Sequence, residues 1–137
     1  MSLSEDHPRV SAFGTPGFDA ALAGMSLAGT GAGTATVLLP VGPEVVNAVG
    51  TLHGGAIATL VDVAGTIAIM GADEQQRPGV TTDLNVSYFS AGRPGTTVTA
   101  RARVLKSGKT LAFVSVDVEG EGGKLLAQGR MTKFMGR

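Results

Sequence analysis

The sequence contains no cysteine and no tryptophan, and aromatic residues make up only 4% of its 137 positions. The absence of cysteine excludes disulfide bonds, thiolate ligands for a metal and a thiol nucleophile. The only histidines are His7 and His53, and their separation in the sequence weighs against a zinc site. With so few aromatic residues, the core has to be built from Val, Ala, Leu and Ile.

The chain has no net charge, but its charges are unevenly distributed. Residues 1–92 hold 2 basic and 8 acidic residues, a net charge of −6, whereas residues 93–137 hold 9 basic and 3 acidic residues, a net charge of +6. This basic segment either offers a local site to an anion or forms the solvated outer faces of strands. It has almost no aromatic residues to stack on bases, so we expect no nucleic acid partner.

No segment has the pattern of a targeting or membrane-spanning sequence. The first ten residues, MSLSEDHPRV, contain two acids and no apolar region, unlike a secretory or mitochondrial signal. The longest apolar run, residues 56–70, is short for a membrane span and has Asp62 near its centre. We expect a cytoplasmic protein that does not insert into a membrane.

The length of the chain and the order of its predicted elements indicate one α+β domain. We expect a flexible tail over residues 1–14 and a single domain over residues 15–137. A short helix within 15–25, a strand over 33–41 and a loop over 42–51 come first. A buried helix over about residues 54–71 and four antiparallel strands follow. A single sheet wrapped around one central helix fits this order.

The four later strands are predicted from the alternation of their side chains. In the first of them, one face carries Thr82, Leu84, Val86 and Tyr88, and the other carries Thr81, Asp83, Asn85 and Ser87. In the next, small and apolar residues alternate with Arg101 and Arg103. Each such strand is expected to turn one face toward the core and the other toward solvent.

A single carboxylate, Asp62, lies in the middle of the predicted helix. Apart from one isoleucine, its own face of the helix is small or polar and consists of Gly55, Ala58, Thr59, Gly65, Thr66 and Ile69. Such a face allows close approach by another backbone, a second subunit or a ligand. An ionised carboxylate is rarely buried without a partner, so Asp62 either makes a structural pair or serves in a functional site.

The tripeptide HGG stands where this helix is expected to begin. Gly54 and Gly55 leave the first N–H groups unobstructed, and the helix dipole adds partial positive charge there. This arrangement suits an anion or a carbonyl oxygen that becomes one, although the glycines could equally serve only a tight turn into the helix. With Asn47 upstream and Asp62 downstream, the pattern becomes specific.

The segment NAVGTLHGGAIATLVDVAG resembles the signature of the hotdog-fold acyl-CoA thioesterases of the phenylacetate-pathway type. The later segments PGVTTDLNVSYFSAGRPG and VLKSGKTLAFVSVDV resemble the small eukaryotic acyl-CoA thioesterases known as thioesterase superfamily member two. The likeness covers about residues 30–136 and is most specific over 47–62. It implies a hotdog fold, in which an antiparallel sheet wraps around one long central helix, and hydrolysis of an acyl-coenzyme A without metal or organic cofactor.

The resemblance also implies a role for each residue of the motif. The Gly54 amide would polarise the thioester carbonyl, and Asn47 and His53 would support and orient that region. Asp62 would act as general base for water or as nucleophile. Thr81 would hold the attacking water, although the close relatives carry serine at that place. His53 could equally be a loop histidine that is hydrogen-bonded to backbone.

The spacing of the motif adds a requirement of its own. Gly54 and Asp62 are eight residues apart, or about 12 Å along one helix. Two groups that act on one carbonyl must lie within a few Å of it. We therefore expect a site shared by two antiparallel helices of a homodimer, with Asn47, His53 and Gly54 from one subunit and Asp62 and Thr81 from the other. A homotetramer is compatible with the same arrangement.

The basic segment supplies candidates for binding the phosphates of coenzyme A, namely Arg93, Lys106, Lys109 and Arg130. Two other functions stay open at this stage. A hotdog hydratase or dehydratase also pairs a histidine with a carboxylate, but such enzymes resemble the HGG segment less. A non-catalytic acyl-CoA-binding protein could keep the pocket but would not need Asp62. The sequence does not distinguish a fatty acyl group from an aryl-acetyl group.

Overall fold

The computed structural model describes residues 17–136, which form one sheet around one long helix. The strands are β1 (Ser26–Gly31), β2 (Thr34–Pro40), β3 (Val80–Tyr88), β4 (Thr97–Ser107), β5 (Leu111–Glu119) and β6 (Leu125–Phe134), and the helix α1 is Gly54–Ala72. The six strands pair antiparallel in the order β1-β2-β4-β5-β6-β3. This is the hotdog arrangement that the sequence predicts. The expected tail over 1–14 and the domain limits at 15 and 137 lie outside the described residues.

The helix α1 lies in the middle of the core and is buried along most of its length. Its length and mean hydropathy of 1.7 would suit a membrane span, but 72% of its most apolar stretch is buried inside the fold. Gly65 and Gly129 allow the helix and sheet to approach closely. A Cβ at Gly65 would lie 2.7 Å from Met131 Cε, and one at Gly129 would lie 2.6 Å from Val61 Cγ1.

The small face of α1 is therefore only partly free, which corrects the sequence-based interpretation. Gly65, Thr66 and Ile69 are buried within the chain itself, whereas Ala58, Thr59 and Asp62 are half-buried. The C-terminal half of this face packs on the chain's own sheet, because the sheet curves around the helix. Only the half from the N-terminus to Asp62 is open to a ligand or a second subunit.

The central strands follow the predicted alternation. Val98, Ala100 and Ala102 on β4 are buried, and Arg101 and Arg103 between them are exposed. The same alternation runs through β5, where every second residue from Ala112 is buried. These faces supply the part of the core that packs against α1.

The sheet differs from the prediction at its two edges. The edge strand β1 is absent from the prediction because its sequence, SLAGTG, is mostly small and shows no alternating apolar pattern. It forms by pairing with β2, after a turn in which Gly33 has a φ of +89°. The N-terminal helix expected within 15–25 is a short 3-10 helix, Phe18–Leu22.

At the other edge, a bulge in β3 changes which residues share a face. The pairing of β3 with β6 shifts between Thr81 and Asp83. Because a bulge inserts one extra residue, it moves the preceding side chain to the opposite face. Thr81 therefore lies on the helix side together with Tyr88, since both hydrogen-bond to α1. The prediction that Thr81 and Tyr88 lie on opposite faces is wrong for this reason.

Candidate active site

Asp62 is a half-buried carboxylate that accepts a single side-chain hydrogen bond. The Thr81 hydroxyl donates to its Oδ1 at 2.9 Å. Within residues 17–136 no other hydrogen bond and no cation reaches the carboxylate. The backbone carbonyl of Asp62 accepts from the Thr66 hydroxyl at 2.7 Å, a contact within the helix. The second carboxylate oxygen is thus left available to water or to a ligand.

The N-terminus of α1 is organised by His53. This residue is the N-cap, and its Nδ1 accepts from the Gly55 N–H at 2.8 Å. A neutral histidine that accepts at Nδ1 carries its proton on Nε2, so the exposed Nε2–H is a donor. In the described part of the chain, the Gly54 N–H donates to no protein acceptor. Two free donors, the Gly54 N–H and the His53 Nε2–H, therefore stand at the start of the helix.

Tyr88, which the sequence did not single out as a site residue, also contacts the N-terminus of α1. The phenol of Tyr88 donates to the Gly54 carbonyl oxygen at 2.7 Å. Burial raises the pKa of this phenol, so it stays a neutral donor at ordinary pH. The signal in the sequence was faint: Tyr88 is the single tyrosine of the chain and ends a predicted strand.

Asn47 builds the loop that leads into α1, and in residues 17–136 its side chain makes no hydrogen bond to His53 or Gly54. Its Oδ1 accepts from the N–H groups of Val49 and Thr51 at 3.1 and 3.0 Å, and its Nδ2 donates to Thr51 Oγ1 at 3.0 Å. The His53 N–H in turn donates to the carbonyl of Val45 at 2.8 Å. The Asn47 carbonyl oxygen and one N–H of its Nδ2 are therefore committed to the loop, whereas the second N–H of Nδ2 donates to no protein acceptor in residues 17–136.

An apolar cleft of about 230 Å³ lies beside the N-terminal half of α1. Its walls include Phe18 and Leu22 of the 3-10 helix, Val45 from the loop, and His53 and Thr59 from the start of the helix. The cleft thus begins at His53 and Gly55 and runs along the first turns of the helix as far as Thr59. Its apolar walls fit the hydrocarbon part of a ligand.

The four basic candidates lie in three different places. Arg93 follows β3, in a loop whose Gly92 carbonyl accepts from the Leu52 N–H at 2.9 Å, so it lies near the start of α1. It lines a polar cleft of about 240 Å³ together with Lys124, which the sequence analysis did not select. Lys106 and Lys109 lie at the opposite end of the sheet, about 30 Å away along β4.

Arg130 occupies the third place. It is exposed in the middle of β6, between Gly129 and Met131, which are buried and face α1. Its side chain therefore leaves the sheet on the outer face, away from Asp62 of the same chain. A single protomer does not bring Arg130, Arg93 and the two lysines together.

The strongest ion pair in the described residues lies at the C-terminal end of α1, away from Arg93. Arg77 donates from Nε and Nη2 to the two carboxylate oxygens of Asp73 at 3.1 and 2.8 Å, and from Nη1 to the Met135 carbonyl at 2.8 Å. The hydrogen bond from Arg77 holds the pKa of Asp73 below its ordinary value. This pair ties the loop after α1 to the end of β6. No cluster of three His, Cys, Asp or Glu residues suited to a metal occurs in 17–136.

Comparisons with known proteins agree with this fold. Residues 49–127 match the model of the Thioesterase superfamily. Human acyl-coenzyme A thioesterase 13 is 44% identical over 120 residues, which is 87% of this chain and 85% of the relative. The crystal structure of zebrafish thioesterase superfamily member 2 matches with a TM-score of 0.87 and 43% identity, over 93% of this chain and 92% of the other. The structure of the E. coli PaaI protein, at 24% identity, matches with a TM-score of 0.76 over 85% of this chain and 83% of the other, and shows the fold alone.

Fold and site together define a hotdog protein with a carboxylate in its central helix and, among the described residues, one free backbone amide and one free imidazole donor at the start of that helix. The chain belongs to the thioesterase superfamily. The resemblance that the residues from Asn47 to Asp62 indicate is confirmed.

Proposed function

We propose that the protein hydrolyses the thioester bond of an acyl-coenzyme A to a free acid and coenzyme A. The observation that carries this proposal is the carboxylate of Asp62, which is half-buried, held by one hydroxyl and without a cation beside it in residues 17–136. Such a group keeps lone pairs for a proton or for a carbonyl carbon. Relatives named acyl-coenzyme A thioesterase 13 support the substrate class.

In the proposed reaction, the thioester oxygen accepts from the Gly54 N–H, which polarises the carbonyl as negative charge develops on it. Asp62 takes a proton from a water molecule that attacks the carbonyl carbon. The carbon–sulfur bond then breaks, and the proton that Asp62 took from water passes to the thiolate of coenzyme A, which regenerates the carboxylate. In the nucleophilic alternative, Asp62 attacks the carbon itself and water hydrolyses the resulting anhydride. The Thr81 hydroxyl holds the carboxylate and offers its lone pairs to the water.

A homodimer is part of the proposal, because one protomer does not complete the site. Gly54 and Asp62 are eight positions apart, which separates them by about 12 Å within α1. The strand β3 supports a second copy as the missing partner, since it is an edge strand with Val80 66% and Leu84 38% exposed. An exposed edge strand with apolar side chains is normally paired with another strand or covered by another part of the protein. Two β3 edges paired antiparallel would also run the two α1 helices antiparallel.

The same pairing supports a shared site for the phosphates of coenzyme A. Arg93 lies near the start of α1, and Lys106 and Lys109 lie at the far end of the sheet. Antiparallel protomers would bring the first group of one chain toward the second group of the other. We propose these three residues as phosphate contacts. Arg130 fits less well, because it leaves the sheet on its outer face.

The test of the activity is thiol release from a panel of fatty and aryl-acetyl coenzyme A thioesters, compared between the parent and Asp62→Asn. We expect turnover of at least one thioester and a loss of about 10²-fold or more in the variant, the scale of general-base catalysis. The matched control is Asp117→Asn, because Asp117 bonds Gln128 on the outer face of the sheet and should leave the rate unchanged. A parent without thiol release, or an Asp62→Asn variant as fast as the parent, would contradict the proposal.

The test of the shared site mixes two inactive variants, Asn47→Ala and Asp62→Asn, unfolds them and refolds them together. Random pairing makes about half of the dimers mixed, and each mixed dimer holds one intact site of two. We expect about a quarter of the parental activity. No recovery after verified subunit exchange would mean either that the two residues act in the same subunit or that Asn47 is not catalytic. Light scattering on the parent separates a dimer from a tetramer, and cell fractionation tests the cytoplasmic location.

A further inference from the structure

Tyr88 makes a contact with the start of α1 that the proposed reaction does not yet use. It is the last residue of β3, and its phenol donates to the Gly54 carbonyl oxygen at 2.7 Å. The ring lies against the same residue, since a Cβ at Gly54 would be 3.5 Å from Cε1 and 3.6 Å from Cζ of Tyr88. The side chain is nevertheless 51% exposed, so it belongs to the surface of the site rather than to the core.

The peptide group between Gly54 and Gly55 is thereby held on both of its polar atoms. Its oxygen accepts from Tyr88, and its N–H donates to His53 Nδ1 at 2.8 Å. Because a peptide group is planar, two bonds from opposite sides fix its orientation. Two consecutive glycines have the widest backbone freedom of any pair, so the sequence itself does not supply this rigidity.

The orientation of this peptide group matters for the two free donors of the site. The Gly54 N–H lies across a single Cα from the clamped peptide, and the His53 ring is the acceptor of that peptide's N–H. The hydrogen bonds also run in series from the phenol through the peptide to the imidazole, so each polarises the next. Release of the phenol would loosen both donors at once.

We propose that Tyr88 is a positioning residue that sets the direction of the Gly54 N–H through the Gly54–Gly55 peptide group. The inference rests on the proposed thioesterase function, in which that N–H polarises the thioester carbonyl. Tyr88 acts through the backbone and does not touch the reacting atoms. The strand β3 then positions both the carboxylate and the amide donor of the proposed reaction, because Thr81 near its start holds Asp62 and Tyr88 at its end holds Gly54.

The first test replaces Tyr88 with Phe, which keeps the ring and deletes the donor. We expect kcat for thiol release to fall about five- to tenfold, the effect of one neutral hydrogen bond, with KM unchanged. The matched control is Thr82→Val on the same strand, because the Thr82 hydroxyl also donates to a backbone carbonyl, that of Thr132 at 3.2 Å, but makes no hydrogen bond to α1 among the described residues. The control should keep the parental kcat.

The second test measures coupling. If Tyr88 acts through the peptide that His53 holds, the losses of Tyr88→Phe and His53→Ala should not multiply in the double variant. The third measures hydrogen exchange of the Gly55 amide, which should become faster in Tyr88→Phe and stay parental in Thr82→Val. This readout does not depend on activity.

Three results would overturn the inference: parental kcat in Tyr88→Phe, a raised KM with unchanged kcat, or losses that multiply in the double variant with Gly55 exchange unaltered. The raised KM would mean that Tyr88 contacts substrate directly. Failure of the proposed function looks different, because the parent itself would then release no thiol from any acyl-coenzyme A, whatever the Gly55 exchange shows.

Discussion

Replacement of Thr81 by Val tests the contact that defines the carboxylate site. Valine keeps the shape of threonine and removes only the hydroxyl that donates to Asp62 Oδ1 at 2.9 Å. The side chain also approaches Met131 Sδ at 3.6 Å, and a methyl group there would pack without loss. The substitution therefore isolates one hydrogen bond.

The deletion removes the group that orients the carboxylate. A hydrogen bond to a charged group has a net value of about 1.5–3 kcal/mol, which corresponds to about 10- to 150-fold in rate if it is made only in the productive geometry. Because Asp62 has no other donor in residues 17–136, its carboxylate should lose this orientation in the variant. We expect kcat to fall by about tenfold.

The assay is the initial rate of thiol release at saturating acyl-coenzyme A, together with the free energy of unfolding in denaturant. Thr81→Ser, which keeps the hydroxyl, should stay within about threefold of the parent. Thr82→Val on the same strand controls for loss of a strand hydroxyl. A Thr81→Val enzyme as fast as the parent, or faster, would refute the view that this hydroxyl orients Asp62.

Three further predictions concern stability and binding. Gly129→Ala should lower the free energy of unfolding by about 1–3 kcal/mol, because its Cβ would lie 2.6 Å from Cγ1 of Val61 on α1. The control Gly29→Ala, whose Cβ would have no atom within 4 Å, should change this free energy by less than about 0.5 kcal/mol. The pKa of Asp73 is lowered from 3.8 by Arg77, so the pair stabilises the fold above that value and loses its effect as pH falls through the lowered pKa. Asp73→Asn should therefore be less stable than the parent near pH 7, and the difference measured by thermal unfolding should shrink as pH falls through the lowered pKa; a constant difference would contradict the linkage. KM for acyl-coenzyme A should rise with salt if exposed basic side chains bind its phosphates, and thioesters without the nucleotide should show no such rise; equal salt dependence would argue against phosphate binding.

The sequence by itself determined the helix and the strands in which apolar residues recur at regular spacing. It also determined the residues of the motif. The apolar run around Asp62 could only form a buried helix, and the alternation in β4 and β5 could only form strands with one buried face. Gly54 and Gly55 predicted the start of the helix. This was possible because the start depends on neighbouring residues only, namely the capping side chain of His53 and the open N–H groups that follow it.

Tertiary structure alone decided which side chains meet. The bulge at Thr81 arises from the pairing of β3 with β6, and a shift of one residue reverses the face of a strand side chain, so no local pattern could place this hydroxyl on Asp62. The strand β1 has no apolar period and exists because β2 offers it a free edge. The contact of Tyr88 with Gly54 joins residues 34 positions apart, and it forms because the antiparallel edge strand returns along the helix to its first turn.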